Sequence, residues 1–138
     1  MDIGGERVGD EPQYRRIVYS SIATSPRPEK DLLSIFASSR RNNGMDGISG
    51  LLWLKGGMFL QLLEGPYDSV GDTFDRIVRD ERHRDIRILM DAADDRRLFP
   101  DWSMANLPSD PPADSAARLQ ALLRDKPEDL VRLFADSF

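Results

Sequence analysis

The 138-residue sequence contains no cysteine and only one histidine, His83. Without cysteine the chain cannot form a disulfide scaffold, a thiolate zinc site, a cysteine nucleophile or a photochemical thiol adduct. A single histidine excludes an all-histidine metal site, and we predict no bound metal. No uninterrupted apolar run approaches the roughly 18 residues that a membrane span needs. The polar N-terminus also lacks the apolar core of a secretion signal, so we expect a cytoplasmic protein.

The chain has an excess of negative charge. Its 24 acidic residues outnumber 19 basic ones and give a formal net charge of −5. This balance argues against nonspecific binding to nucleic acid or anionic membranes, because their phosphates attract cations. Hydrophobic residues make up 40% of the chain and charged residues 31%, as in a globular domain with a core. We therefore expect one domain that meets neither membrane nor nucleic acid directly.

The hydrophobic pattern predicts the element order β-α-β-β-α-β. The predicted strands are residues 14–22, 48–54, 58–63 and 86–90, and the predicted helices are residues 32–41 and 70–78. Lys55-Gly56-Gly57 separates the second and third strands, and this spacing is typical of an antiparallel hairpin. The order is that of an α+β, ferredoxin-like βαββαβ fold with two helices on one sheet face.

The C-terminal third of the chain adds further elements to this order. We predict a short fifth strand at residues 102–105 and then two short helices broken near Pro127. The expected boundaries are a flexible arm at 1–13, a domain at 14–107 and a C-terminal helical extension at 108–138. We expect the apolar residues of the extension to cover the open face of the sheet rather than to bind a partner. They include Leu119, Leu122, Leu130 and Phe134.

Three polar residues lie where chemistry could use them. Gln61 is in the middle of an apolar strand, and a buried amide without partners costs about 1–3 kcal/mol. Tyr19, also mid-strand, carries a phenol that can donate a hydrogen bond or give an electron to a strong oxidant. Asn43, at a predicted helix end, offers both a donor and an acceptor. Ordinary interpretations stay open for each, namely an edge-strand amide, a core aromatic and a helix C-cap.

Known catalytic patterns are missing. No glycine spacing fits a Walker or dinucleotide loop, and no serine has a histidine and an acid nearby in sequence. Asp91, Asp94 and Asp95 are expected in turns, as solvated or helix-capping residues. We predict no catalytic residue.

Five blocks of sequence resemble the signatures of BLUF domains, the blue-light sensors that use flavin. They are residues 18–21 (VYSS), 41–52 (RNNGMDGISGLL), 59–65 (FLQLLEG), 79–83 (RDERH) and 99–104 (FPDWSM). The blocks follow the family's order and spacing. The chain thus resembles the short, stand-alone type of BLUF protein, and the resemblance implies a photoreceptor without enzyme activity.

The resemblance implies FAD, or alternatively FMN, bound non-covalently between the two helices with its ring against the sheet. Tyr19 would be the phenol that the excited flavin oxidises, and Gln61 would bridge its hydroxyl to the ring edge. A Gln61 amide that rotates or tautomerises would offer the ring carbonyl a new donor and move the absorption to longer wavelength. The implied photoactive residues are Tyr19, Gln61, Trp102 and Met104. The implied flavin-binding residues are Tyr19, Ile35, Asn42, Asn43, Phe59, Gln61, Arg76, Ile77, Arg82, His83 and Met104.

Other interpretations of the chain remain at this point. His83 could be a surface residue of a charged turn. Trp102 could be an ordinary residue of the hydrophobic core, and Asn42 could be part of a helix cap. The expected partners of the sensor are an unidentified effector protein and other copies of the chain in a homo-oligomer. The alternative functions are a flavin-free dimerisation or interaction module and an acylphosphatase-like enzyme on the same scaffold. The complete set of Tyr19, Asn43 and Gln61 disfavours the first, and the lack of an evident phosphate-loop arginine disfavours the second.

Overall fold

The computed structural model describes residues 13–24, 26, 47–104 and 111–135. The strands are Tyr14–Ala23 (β1), Ser49–Lys55 (β2), Met58–Pro66 (β3), His83–Asp94 (β4) and Trp102–Met104 (β5). The helices are Tyr67–Val78 (α1), Pro112–Leu123 (α2) and Glu128–Ala135 (α3). The helix predicted at residues 32–41 lies outside the described residues. None of the described helices is long and apolar enough to cross a bilayer.

The five strands form one sheet in the order β4-β1-β3-β2-β5. Neighbouring strands are antiparallel, except that β5 runs parallel to β2. This is the predicted ferredoxin-like order with the fifth strand added beside β2, so the predicted α+β fold is confirmed. Because β3 lies between β1 and β2, the interpretation of Gln61 as an edge-strand residue is wrong.

The hairpin of β2 and β3 follows from its turn residues. The two strands pair in register from Ser49 opposite Glu64 to Lys55 opposite Met58. The turn residues Gly56 and Gly57 have φ angles of 61° and 78°. A tight two-residue turn of type I′ needs positive φ at both central positions, which glycine adopts without a Cβ clash. The predicted hairpin is therefore confirmed.

The fourth strand is longer than its apolar core at residues 86–90 predicts. It covers 12 residues, His83–Asp94. β4 pairs with β1 from Ala23 opposite His83 to Tyr14 opposite Asp94, with two register shifts. Backbone pairing with β1 therefore extends β4 into charged sequence that hydrophobic periodicity does not mark.

This extension shows that the expected turn positions of Asp91 and Asp94 are wrong. Asp91 is inside β4, and its Oδ2 is 2.6 Å from a guanidinium nitrogen of Arg15. Asp94 is the last residue of β4 and lies 3.2 Å from the guanidinium of Arg16. Both are ion-pair partners of the neighbouring strand, because strand pairing brings the β1 arginines beside them. Asp95 follows the strand directly and is exposed.

Each face of the sheet has its own apolar cluster. On one face, Ile17, Tyr19 and Leu63 pack with Val70 of α1. On the opposite face, the core contains Val18, Leu51 and Leu62 of the sheet together with residues of the two C-terminal helices. The helical members of that core are Leu119, Leu123, Leu130 and Phe134, with Leu122 packed against it. The two predicted C-terminal helices therefore do cover the second face of the sheet.

Candidate functional site

Strand register brings Tyr19 and Gln61 together. The two residues are direct partners across β1 and β3, and direct partners project to the same face of a sheet. The Tyr19 hydroxyl donates a hydrogen bond to Oε1 of Gln61. The two side chains are only 3% and 2% exposed. Two of the polar residues singled out in the sequence thus form one buried pair.

The other half of the Gln61 amide has capacity left for a ligand. Its Nε2 is buried and has no hydrogen-bond partner within the described part of the chain. An unsatisfied buried donor costs about 1–3 kcal/mol, so a group that accepts from Nε2 would recover that free energy. The carbonyl oxygens and ring nitrogens of a flavin are such acceptors. The pair therefore fits a flavin whose ring edge lies against Gln61.

Two rings surround the Tyr19 phenol. The Phe74 ring lies edge-on with its centroid 5.4 Å away, and the His83 ring lies 6.2 Å away. Burial, with a further contribution from the negative charge of Asp80, raises the pKa of Tyr19 far above its ordinary value. The phenol therefore stays protonated at neutral pH. If Tyr19 is oxidised, its proton has an acceptor already in place at Oε1 of Gln61.

His83 connects three elements around this pair. Its Nε2 lies 2.8 Å from the carbonyl oxygen of Ile77, at the end of α1, and its Nδ1 lies 2.7 Å from Oγ of Ser21, on β1. Because a carbonyl can only accept, Nε2 donates to Ile77, and Nδ1 of the neutral ring accepts from Ser21. The half-buried ring at the start of β4 is not a surface residue of a turn, so that interpretation is wrong. A contact of His83 with flavin stays a prediction.

The two arginines assigned to flavin also have protein partners. Arg82 contacts Asp80 through Nε, 3.0 Å from Oδ1, and through a terminal nitrogen, 2.5 Å from Oδ2. The hydrogen bond from Arg82 lowers the pKa of Asp80. Arg76, exposed on α1, donates to Oγ1 of Thr73 over 3.1 Å. Their contact with phosphate stays a prediction.

Apolar side chains extend the site along the sheet. Phe59 is buried beside Leu52, and half-buried Ile77 packs against the cluster that contains Tyr19. Trp102 packs against both of these clusters, so its indole shares the α1 face with Tyr19 and Gln61. Gly50 is its partner on β2, where a Cβ would lie 3.1 Å from Cζ3 of the indole. The same Cβ would lie only 1.8 Å from the backbone oxygen of Leu62, so the close approach of β3 requires glycine here, and the indole packs over it.

Part of the predicted site lies outside the described residues, namely Ile35, Asn42 and Asn43, and so does the side chain of Met104. The sequence patterns did not mark Ser21 and Asp80 as residues of the site, although Ser21 contacts His83 and Asp80 pairs with Arg82. Strand alternation puts Ser21 on the same face as Tyr19, which is the signal that could have found it. Asp80 lies two residues before Arg82, close enough for a local ion pair.

Comparison with known proteins places this geometry in a family. The family model for sensors of blue-light using FAD, the BLUF family, matches residues 15–105. The chain belongs to the BLUF family. A similar relative is the photoactivated adenylate cyclase subunit beta of Euglena gracilis, 35% identical over 91 residues, which are 65% of this chain and 11% of the relative. Another is the blue light- and temperature-regulated antirepressor BluF of Escherichia coli K12, 33% identical over 83 residues, which are 59% of this chain and 21% of the relative.

Solved BLUF structures share the fold of nearly the whole chain. The dark-state structure of BlrB, a BLUF protein, superposes with a TM-score of 0.69 at 30% identity, over 93% of this chain and 99% of that one. The BLUF structure of BlrP1 gives a TM-score of 0.72 at 26% identity, over 91% and 92% of the two chains. BLUF domains are flavin-binding sensor modules and not enzymes themselves, although relatives are fused to adenylate cyclases. The match spans only 11% of the first such relative.

Proposed function

We propose that this BLUF chain is a blue-light photoreceptor that binds FAD non-covalently and signals by rearranging the hydrogen bonds of Tyr19, Gln61 and the flavin. One observation carries the proposal. The buried Gln61 amide accepts from Tyr19 through Oε1, while its Nε2 has no partner in the described ranges. FMN is the alternative flavin, and one solved BlrP1 structure contains FMN.

When bound, the flavin supplies a blue-light absorber whose excited state is an oxidant strong enough for a phenol. Tyr19 would give its electron to the excited flavin, and its hydroxyl proton would move along the existing hydrogen bond to Oε1 of Gln61, while Nε2 would give up a proton to the acceptor it faces. Burial raises the pKa of Tyr19 and so further favours the protonated phenol in the dark. Because the Gln61 amide carries both a donor and an acceptor, its rotation or tautomerisation reverses the direction of its hydrogen bonds. The absorption would then move to longer wavelength.

The remaining site residues are proposed to hold the flavin in place. Phe59 and Ile77 would be apolar walls for the ring, and His83 would keep α1 against β1 while it borders the site. Arg82 would contact the phosphates only if its guanidinium also kept, or gave up, its ion pair with Asp80. The proposed set is completed by Ile35, Asn42, Asn43, Arg76 and Met104.

We further propose that residues 14–107 form the sensor and 108–138 its helical extension. The output would pass to a separate effector protein, with the chain acting as a homo-oligomer. Light-regulated relatives include a cyclase and an antirepressor, so BLUF sensors are compatible with very different outputs.

Spectroscopy of the purified protein tests the proposal. The preparation should be yellow and should show a small, reversible red shift after blue light, and chromatography of the extracted pigment should identify FAD. Gln61→Leu should keep the flavin and lose the red shift, because leucine has no donor to offer the ring. Tyr19→Phe should do the same, since it removes only the hydroxyl.

Tyr14→Phe is the matched control, because Tyr14 lies on the same strand, and it should leave the red shift intact. A normal photocycle in Gln61→Leu would contradict the assigned role of the amide. A colourless protein that cannot be reconstituted with flavin would support the alternative of a flavin-free interaction module.

A further inference from the structure

Glu64 is a fully buried carboxylate on the strand that carries Gln61, but on the opposite face. It pairs with Arg16 across β1 and β3, next to the pair of Val18 and Leu62, and its exposure is 0%. Burying a charge is costly unless it is paired and hydrogen-bonded. The hydrogen-bond donors to Glu64 therefore show which parts of the fold this carboxylate joins.

Both carboxylate oxygens of Glu64 are occupied. Oε2 accepts from Nε of Arg16 over 2.9 Å. Oε1 accepts from the backbone N–H of Leu98 over 2.9 Å and from that of Phe99 over 2.7 Å. Leu98 and Phe99 belong to the segment that leads from β4 to β5. One carboxylate thus ties β1, β3 and this connecting segment together.

A second anchor acts on the same segment. The hydroxyl of Ser49 donates to the carbonyl oxygen of Phe99. Ser49 begins β2 and directly precedes Gly50, the partner of Trp102. Arg97 also donates to the backbone oxygen of Glu64 over 3.1 Å. The N–H of Phe99 is therefore held by β3 and its carbonyl by β2.

The backbone ladder of β5 is short. β5 is three residues long, and within the described ranges it pairs with β2, from Gly50 opposite Trp102 to Leu52 opposite Met104. So short a ladder supplies few backbone hydrogen bonds, and a parallel pair is slightly less stable per residue than an antiparallel one. Besides the packing of Trp102 on the α1 face, the position of β5 consequently depends on the segment that enters it, which is held at Phe99.

We propose that Glu64 is a positioning residue that sets the place of β5, and with it the Trp102 indole, beside the Tyr19–Gln61 pair. Glu64 does not contact that pair, because it projects to the other face of the sheet. It acts through the backbone of Leu98 and Phe99. If the proposed photoreceptor function holds, weakening the hydrogen bonds from Leu98 and Phe99 to Glu64 changes how quickly the light-induced hydrogen bonds return to their dark arrangement.

Glu64→Gln tests the proposal in the flavin-loaded protein. The substitution keeps the shape and removes the charge, so it weakens the bonds from Leu98 and Phe99 while Asp94 still faces Arg16. Hydrogen exchange in the dark should become about tenfold faster in peptides covering residues 98–104. It should stay unchanged in peptides from β1 and β3. The rate of dark recovery should change at least about threefold, whereas the red shift itself should persist.

Asp91→Asn is the matched control, since it removes a two-bond carboxylate–arginine pair remote from β5. It should leave both exchange at 98–104 and dark recovery unchanged. If hydrogen exchange became faster by the same factor in all peptides of the Glu64→Gln variant, Glu64 would contribute only to overall stability, and the proposal would be overturned. Local acceleration with an unaltered recovery rate would overturn its role in the photocycle.

Ser49→Ala keeps the proposal falsifiable if Glu64→Gln does not fold. It leaves the buried pair of Arg16 and Glu64 intact and removes the hydroxyl that donates to the Phe99 carbonyl and accepts from Arg97. It should accelerate hydrogen exchange at residues 98–104 to a smaller extent than Glu64→Gln does. Unchanged hydrogen exchange there would overturn the proposal that this segment positions β5. A wild-type protein without a light response would instead refute the proposed function, while the exchange comparison would still decide whether Glu64 positions β5.

Discussion

Tyr19 and Gln61 lie on the α1 face of the sheet, whereas Arg16 and Glu64 lie on the face that α2 and α3 cover. Both pairs join β1 to β3, and all four residues are buried. The Tyr19–Gln61 pair keeps a donor, Nε2, without a partner among the described residues. The Glu64 carboxylate, in contrast, has partners on both oxygens.

This difference separates a ligand-binding arrangement from a structural one. A buried polar group with remaining capacity raises the free energy of the empty site and favours a ligand that satisfies it. A fully satisfied buried charge instead makes its surroundings rigid, because any movement exposes an unpaired ion. The same two strands thus offer a hydrogen-bond switch on one face and a fixed anchor on the other.

The largest expected contrast comes from neighbouring residues on β3. Leu62→Ala should lower the free energy of unfolding by about 2–5 kcal/mol, because it opens a cavity in the core under α2 and α3. It should leave the red shift intact, since Leu62 points away from the site. Chemical denaturation and a light–dark difference spectrum measure the two effects.

Gln61→Leu sharpens the contrast from the other side. In the flavin-free protein its unfolding free energy should change by less than about 1 kcal/mol, because the lost Tyr19 bond is offset by relief of the unsatisfied donor. The red shift, however, should disappear from the flavin-loaded protein. A larger stability loss than in Leu62→Ala would show that the amide is structural.

A smaller effect is expected at the support of His83. Ser21→Ala should lower the free energy of unfolding by about 1 kcal/mol, because Nδ1 of His83 loses its donor in a half-buried place. Ser20→Ala is the control on the same strand and opposite face, and should stay within about 0.5 kcal/mol of wild type. Equal effects of the two substitutions would contradict the support that Ser21 gives to His83.

The smallest expected effect is at the exposed ion pair of Arg15 and Asp91. The hydrogen bond from Arg15 lowers the pKa of Asp91, just as that from Arg82 lowers the pKa of Asp80. A carboxyl whose folded pKa lies below its unfolded value of about 3.9 stabilises the fold above that pH, and the stabilisation is lost as pH falls through the folded pKa. Stability should therefore fall below about pH 4, and Asp91→Asn should flatten part of this fall while costing less than about 1 kcal/mol at pH 7. Denaturation curves at several pH values measure both, and an unflattened fall in Asp91→Asn would contradict the assignment.

Hydrophobic periodicity predicted most elements because each strand and helix has one apolar face. It failed for β4, whose charged ends at residues 83–85 and 91–94 are strand only because β1 pairs with them. Gln61 and Glu64 lie on opposite faces of β3 because they are three residues apart on one strand. Hydrophobic periodicity could not reveal their partners, since Tyr19 and Arg16 lie far away along the chain.

The sequence alone determined the order of elements, the alternation of faces and the resemblance to BLUF domains, because these depend on residues close together along the chain. Only the tertiary structure decided that the Tyr19 hydroxyl donates to Gln61, that His83 joins Ser21 to Ile77, and that Glu64 holds the entry to β5. These contacts join residues from different elements. Their geometry is set by strand register and packing, which no local pattern of residue types specifies.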